Sequence, residues 1–273
     1  SENTINFSHG ELIVFSEAVA SDGVEILLDA ITRNLDQRPK LVPVVSSGEA
    51  REVVGAIKPE FEGNPEKYLK KIFESETSPV SANVDNRKLL SRIKNPDAGV
   101  IIPRVAKADG GIATDSVAVF KGGRLVSVAE DVYPCRLIQG TPGSISYDVA
   151  NYGTLLLTNR SKPKISVKCG DTVDVDVNIC LTATLQAMSD STGQEHLIKT
   201  VSAELENRVQ NLLLRSAAEW GVDMFAFERY AKSNFLTLQK WQNYNWQEKY
   251  KTARFNVGID IVPEKTTLIR GGT

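Results

Sequence analysis

The strongest regularity in the chain is an alternation. In VDVDVNICLTATLQA, Val173, Val175, Val177, Ile179, Leu181, Ala183, Leu185 and Ala187 take the odd positions, and Asp174, Asp176, Asn178, Thr182, Thr184 and Gln186 take even ones. Successive side chains of a strand point to opposite faces, so this spacing predicts a long strand with one face in a core and the other in water. Ile165, Val167 and Cys169 precede it in the same phase, and Phe255, Val257, Ile259 and Ile261 repeat it near the C-terminal end. Between these ribbons the period becomes helical: Ile198, Val201, Leu205, Val209, Leu212 and Ala217 fall on one stripe. Thr192 and Glu195 have the spacing of a capping box at its start, and Gly221 is placed to end it. The resulting helix would be roughly 40 Å long. An apolar stripe on a helix and apolar faces on several strands can bury each other. The expected C-terminal unit, residues 146–273, is therefore a mainly antiparallel sheet wrapped around one long α-helix.

The N-terminal third reads as strand, helix, strand, helix. A short apolar run spans Glu11 to Phe15, and Ile26, Leu27, Ala30, Ile31 and Leu35 recur at helical spacing after the cap-like Ser21 or Asp22, up to Pro39. KLVPVVSS is a buried strand whose Pro43 is best tolerated at an edge or bulge. Ser46 or Ser47 starts another helix with Glu49 in its first turn, and Asn64 with Pro65 opens a polar one. This gives a small α/β unit over residues 1–80. From about Asp97 short strands dominate, including a hairpin turned at Lys121, Gly122 and Gly123, which suggests a mostly β middle unit over residues 81–145. The turn-rich GTPGSISYDVANYG supplies the next linker. The whole is expected to be a multi-domain α+β protein.

Composition narrows the function classes. The chain is 41% hydrophobic and 24% charged, an ordinary make-up for a soluble globular protein, with no run of about eighteen apolar residues to span a bilayer. Its formal charge of -2 provides no global attraction to nucleic acid. Ser1 in place of a Met suggests that the natural N-terminus lies upstream. Cys135, Cys169 and Cys180 are scattered and odd in number, which fits neither a zinc site nor a disulfide framework. Asp174, Asp176 and Asn178 begin like a calcium loop, but Ile179 and Leu185 stand where its glycine and bidentate glutamate belong, so a solvated strand face is the better reading. The two histidines, His9 and His196, accompany no nucleophile motif. No catalytic residue, metal or cofactor is expected. The tripeptide Asn159 to Ser161 fits a glycosylation acceptor but occurs readily by chance.

One segment invites a functional reading. KWQNYNWQEKYKTARF carries Trp241, Tyr244, Trp246 and Tyr250 among basic residues. Exposed, these rings would form a stacking platform for bases or sugars. Their i,i+3 and i,i+4 spacing just before an alternating strand instead favours a packing seam. Solvent exposure of Trp241 and Trp246 separates the two.

An ordered set of features resembles a known family, the Ger(x)C lipoproteins that form the C subunits of spore nutrient germinant receptors. The set comprises Ser16, Glu17 and Ala20, then Arg33 and Arg38 at a helix end, a helix after V-x-S-x-G, the D-x-F-x-F of Asp223, Phe225 and Phe227, Trp246 followed by Tyr250, and Arg270 with Gly271 in the last strand. The family's lipobox cysteine and leading segment are absent, and Tyr250 stands where phenylalanine is usual. The resemblance implies a non-catalytic subunit, anchored by an N-terminal lipid to the outer face of the inner spore membrane, that works with two integral-membrane subunits in nutrient-triggered germination, without nucleic acid. Glu17, Arg33 and Arg38 are candidate partner contacts, each equally an internal ion pair. Trp220, Phe225, Phe227, Trp241, Trp246 and Tyr250 are expected to form a structural aromatic cluster. The alternative is a cell-envelope carbohydrate-binding module or hydrolase that uses the aromatic stretch.

Overall fold

The computed structural model describes residues 12–33, 41–56, 84–109, 111–149, 153–188 and 193–264. The expected helix at Asn64, the Pro39 stop, Arg38, His9, Thr192 and Arg270 with Gly271 lie outside the described residues.

The first sheet has the order β1-β2-β3-β4-β5, formed by Leu12–Ser16, Val42–Ser46, Gly99–Ala108, Gly111–Lys121 and Arg124–Ala129. β1, β2 and β3 run parallel, and β3, β4 and β5 antiparallel. Strands assigned from sequence to residues 1–80 and 81–145 therefore share one sheet. Pro43 is accommodated because β3 pairs with β2 only at Val45 and Ser46, so the proline meets a ladder on one side alone. The β4–β5 hairpin turns at Gly122 and Gly123, both at positive φ, the backbone that a two-residue turn demands and that glycine adopts without strain.

Helices α1 (Glu17–Asp22), α2 (Glu25–Arg33), α3 (Ala50–Ala56) and α4 (Asn86–Ile93) cover this sheet. Ser16 caps α1 through Val19 N at 3.3 Å, and Asp85 caps α4 through Lys88 N at 2.8 Å. The expected apolar stripe of the second helix is out of phase with the structure. Val24 and Leu28 are buried, while Ile26 and Leu27 face solvent at 84% and 46% exposure. The chain breaks at Gly23, with φ 127, so the helix restarts at Glu25, with Val24 accepting its first bond from Leu28 N, and the buried row runs from Val24 rather than from Ser21 or Asp22.

The second sheet has the order β10-β9-β7-β6, with β8 also on β9. Its strands are Gly143–Val149 (β6), Gly153–Asn159 (β7), Lys164–Cys169 (β8), Val173–Met188 (β9) and Arg254–Pro263 (β10). β8 and β7 follow one another along one side of β9, and β10 lies parallel along the other; every other pairing is antiparallel. The odd positions from Val173 to Ala183 are buried. Before this sheet lies α5 (Val132–Gln139), and against it lies α6 (Gln194–Leu214). The 21 residues of α6 span about 31 Å. Gly193 is its N-cap, without a side-chain bond, and a π-helical turn over Arg215–Glu219 extends it to Gly221, whose φ is 60°.

α6 does more than bury an apolar row against the sheet. Ser202 Oγ donates to Ile259 O, Ile259 N donates to Glu206 Oε1 at 2.9 Å, and Gln210 Nε2 donates to Phe255 O at 2.8 Å. These polar side chains, four residues apart, satisfy the edge of β10 that β9 leaves open, which removes a site for unwanted strand pairing. The core is continuous between the sheets: Ile101, Val117 and Val119 of the first join α5, β9, α6 and the C-terminal aromatics in one cluster. The opposite face of the first sheet packs Val100, Ile102 and Phe120 against α1, α2 and α4. β3 and β4 are thus buried on both faces, which is why they lack clear alternation.

Candidate functional site

The segment between α6 and β10 folds into three short helices, α7 (Glu228–Lys232), α8 (Leu238–Tyr244) and α9 (Trp246–Tyr250). Thr237 caps α8 through Lys240 N, and Asn245, in the left-handed conformation, turns α8 into α9. This geometry stacks the rings into a relay. Phe235 lies 5.4 Å from Trp241, Trp241 5.7 Å from Trp246, Trp246 5.6 Å from Tyr250, and Tyr250 5.9 Å from Phe255 and 6.5 Å from Phe227. Phe225 continues it at 5.9 Å from Phe227. Trp241 and Trp246 are 4% and 1% exposed, so neither offers a face to a sugar or a base. Trp220 is half-buried at the margin, with the Arg215 guanidinium 5.0 Å above its ring. Tyr250 has a use for its hydroxyl: it hydrogen-bonds Ser216 Oγ at 2.8 Å inside the π-helical turn.

This module docks onto the first sheet through a buried polar junction. Trp241 Nε1 donates to Asp97 Oδ2 at 2.8 Å, and Gly99 N donates to Asp223 O at 2.8 Å. Lys121 Nζ donates to Gly221 O at 2.7 Å, and Gln247 Nε2 donates to Pro96 O. Gly99 is required for the approach, since a Cβ there would stand 2.1 Å from Val222 Cγ1. At the centre, Glu228 is 1% exposed and its Oε1 accepts from Arg92 Nη1 at 2.8 Å and Asn95 Nδ2 at 3.3 Å. Asp223, also buried, accepts from Phe227 N at 3.0 Å and Glu228 N at 2.7 Å. Burial, and then the neighbouring Glu228 charge, push the Asp223 carboxyl well above the usual carboxylate range. Glu228 Oε2 is buried without a donor among the described residues, while the Asp223 carboxyl lies within hydrogen-bonding reach of Glu228. A proton retained on Asp223 satisfies both acids.

The groups of this junction are engaged in packing and in internal hydrogen bonds. A cavity bordered by Asp97, Gly99, Asp223 and Trp246 measures about 10 Å³, room for nothing larger than one water. A second, beside Tyr133 and Arg136, is of the same size. Among the described residues, no group of three or more His, Cys, Asp or Glu is placed to hold a metal. Asp176, from the stretch that begins like a calcium loop, accepts from Ser166 and Asn256 on the outer face of β9. His196 is exposed in the first turn of α6. Burial pushes the Cys135 thiol up, whereas Cys180 is exposed. The candidate contacts Glu17 and Arg33 lie far apart in role: Glu17 pairs with Arg104 at 2.9 Å, and Arg33, 78% exposed, pairs with Asp29 at 2.5 Å.

Sequence reasoning did not single out Arg92, Asn95, Asp97 or Glu228, and it placed Asp223 only in a motif. No local pattern marks them, since Arg92 and Glu228 are 136 positions apart.

The fold and site define a two-sheet α+β protein whose aromatic and acidic groups are consumed in joining its halves. Residues 115–262 match the family described as "Spore germination B3/ GerAC like, C-terminal", and residues 1–107 match "Spore germination protein N-terminal domain". The chain belongs to this spore germination family. It is 31% identical over 133 residues to "Putative spore germination protein YfkR" of Bacillus subtilis (strain 168), an alignment covering 47% of this chain and 34% of that protein. The chain thus matches about a third of that relative's length. The crystal structure of the GerBC protein superposes with a TM-score of 0.72 at 15% identity, over 93% of this chain and 79% of that one, and so shares its fold. No helix among the described residues is long and apolar enough to cross a membrane.

Proposed function

We propose that this chain is the non-catalytic lipoprotein subunit of a spore germinant receptor, required for nutrient-triggered germination through contacts with two integral-membrane subunits. The observation that carries this reading is the internal use of the aromatic cluster and the junction acids among the described residues: the rings of residues 225–255 pack on one another, and Asp223 and Glu228 serve the junction. Membership in a germination family supplies the process. In this reading an N-terminal lipid holds the chain on the outer face of the inner spore membrane. Partner contact then falls to charges of the N-terminal region, with Glu17, Arg33 and Arg38 as candidates, of which Glu17 and Arg33 lie on helices of the first sheet.

Replacing Arg33 by Glu tests the contact, because its pairing with Asp29 is solvent-exposed and screened, so its loss leaves the fold intact. Spores carrying this chain with R33E should lose co-purification of the membrane subunits and show a slower fall in optical density after nutrient addition. Normal germination of spores that lack the chain would overturn the reading altogether.

A further inference from the structure

Two of the most exposed large apolar side chains among the described residues flank Thr237 at the N-terminus of α8: Leu236 at 92% and Leu238 at 70%. Their exposure is built into a fixed turn. Thr237, between them, accepts from Lys240 N at 3.3 Å and caps α8. Phe235, just before them, packs 5.4 Å from Trp241 and 4.9 Å from Tyr244, which anchors the base of the turn to the core. The leucines are therefore held outward by a cap on one side and an aromatic anchor on the other, and cannot fold back without breaking both.

The charge along this stretch of chain is basic, although the fold also brings Asp171 and Asp174 close enough to act on Tyr244, whose ring lies 4.9 Å from that of Phe235. From residue 229 to residue 247 the chain contains Arg229, Lys232 and Lys240 and no acid. Lys232 is partly neutralised by Asp97 at 3.7 Å, but Arg229 and Lys240 are exposed and make no ion pair among the described residues. We propose that this turn is a membrane-contact element for an anionic lipid surface, in which Leu236 and Leu238 enter the acyl boundary and the flanking cations meet phosphate headgroups. A protein partner fits less well. A stable protein interface covers on the order of 800 Å² per side with a matched surface, whereas two protruding leucines present no such area; a fluid bilayer accepts them without a shaped pocket. The chain's net charge of -2 gives no general attraction to anionic lipid, so binding must be local to this turn. The inference goes beyond the receptor reading and does not depend on it.

The test is flotation of the 273-residue chain with vesicles of equal parts phosphatidylcholine and phosphatidylglycerol, and with phosphatidylcholine alone. Binding to the mixed vesicles only, weakened by salt, is expected. L236S/L238S should lower partitioning by on the order of tenfold or more. K240E should lower it by about fivefold. Neither variant should shift the melting temperature, because the altered side chains are exposed. Leu236→Trp should show blue-shifted emission, quenched by brominated acyl chains, with the mixed vesicles. Failure of the parent chain to bind mixed vesicles at millimolar lipid, or equal binding by L236S/L238S, overturns the proposal. So does self-association of the parent chain that L236S/L238S abolishes in the absence of vesicle binding, which would make the turn a protein contact.

Discussion

The Asp223–Glu228 pair makes a prediction about stability and pH that the exchange Glu228→Gln isolates. In the folded chain, burial and the adjacent Glu228 charge raise the Asp223 carboxyl above its ordinary value of 3.8. Between that value and the raised one, the folded state holds a proton that the unfolded state has released. Stability is then complete at low pH and falls as pH rises through this window, by at most about 1.4 kcal/mol per pH unit for one proton. From pH 5 to pH 7 this amounts to a loss of up to about 2.7 kcal/mol. In E228Q the carboxamide oxygen still accepts from Arg92 and Asn95, while its NH2 donates to Asp223. Asp223 then ionises with two backbone donors and one side-chain donor, so the negative charge moves from position 228 to 223 and the net charge of the junction is unchanged. Urea unfolding followed by tryptophan fluorescence at pH 5, 6 and 7 measures the effect, and groups remote from the junction cancel between the two proteins. The parent should lose stability over this range relative to E228Q. Parallel pH dependences would refute the shared proton.

Four further outcomes follow from the same packing. Gly99→Ala should destabilise by about 2–3 kcal/mol in chemical denaturation, because its Cβ meets Val222 at 2.1 Å and the backbone oxygen of Phe120 at 3.0 Å. Trp241→Phe keeps an aromatic ring but loses the pyrrole half of the indole and its bond to Asp97, for about 2 kcal/mol, whereas Trp241→Ala should cost about 3–5 kcal/mol by the same assay. Tyr250→Phe should cost about 1 kcal/mol, since Ser216 keeps its bond to Leu213 O. A thiol reagent under native conditions should modify Cys180 and spare Cys135 until the chain unfolds, which mass spectrometry of the labelled peptides reads directly.

Local periodicity made the second sheet legible and left the junction invisible, for a physical reason. A strand with one wet and one dry face writes its orientation into every second residue, and β9 does so from Val173 to Ala183. The row on α6 is equally local. The phase of α2 failed because one break, at Gly23, decides where a stripe begins. The joining of β3 to β2 depends on a pairing of only two residues across more than fifty positions, and nothing in either strand names its neighbour. The β10 clamp was accessible in principle, since Ser202, Glu206 and Gln210 keep helical spacing, but their partners are backbone atoms that no side-chain pattern advertises. Arg92 and Glu228 are two among 32 bases and 34 acids, and only the fold selects them.

That selection bears on how the chain can respond to a bound partner. Separating the two sheets would break the Glu228–Arg92 ion pair and the bond from Asn95 to Glu228, and would separate the groups that pack across the junction. The break would also expose Trp241 and Val222, which bridge the halves. A single ion pair formed on the exposed helices of the first sheet contributes about 1 kcal/mol or less, too little by itself to hinge such a junction. Displacement of one sheet therefore carries the other with it. On the proposed reading, a partner drawn to Arg33 would move the capped turn at Leu236 and Leu238 as part of the same body, by reorientation of one unit and not by an opening between its halves.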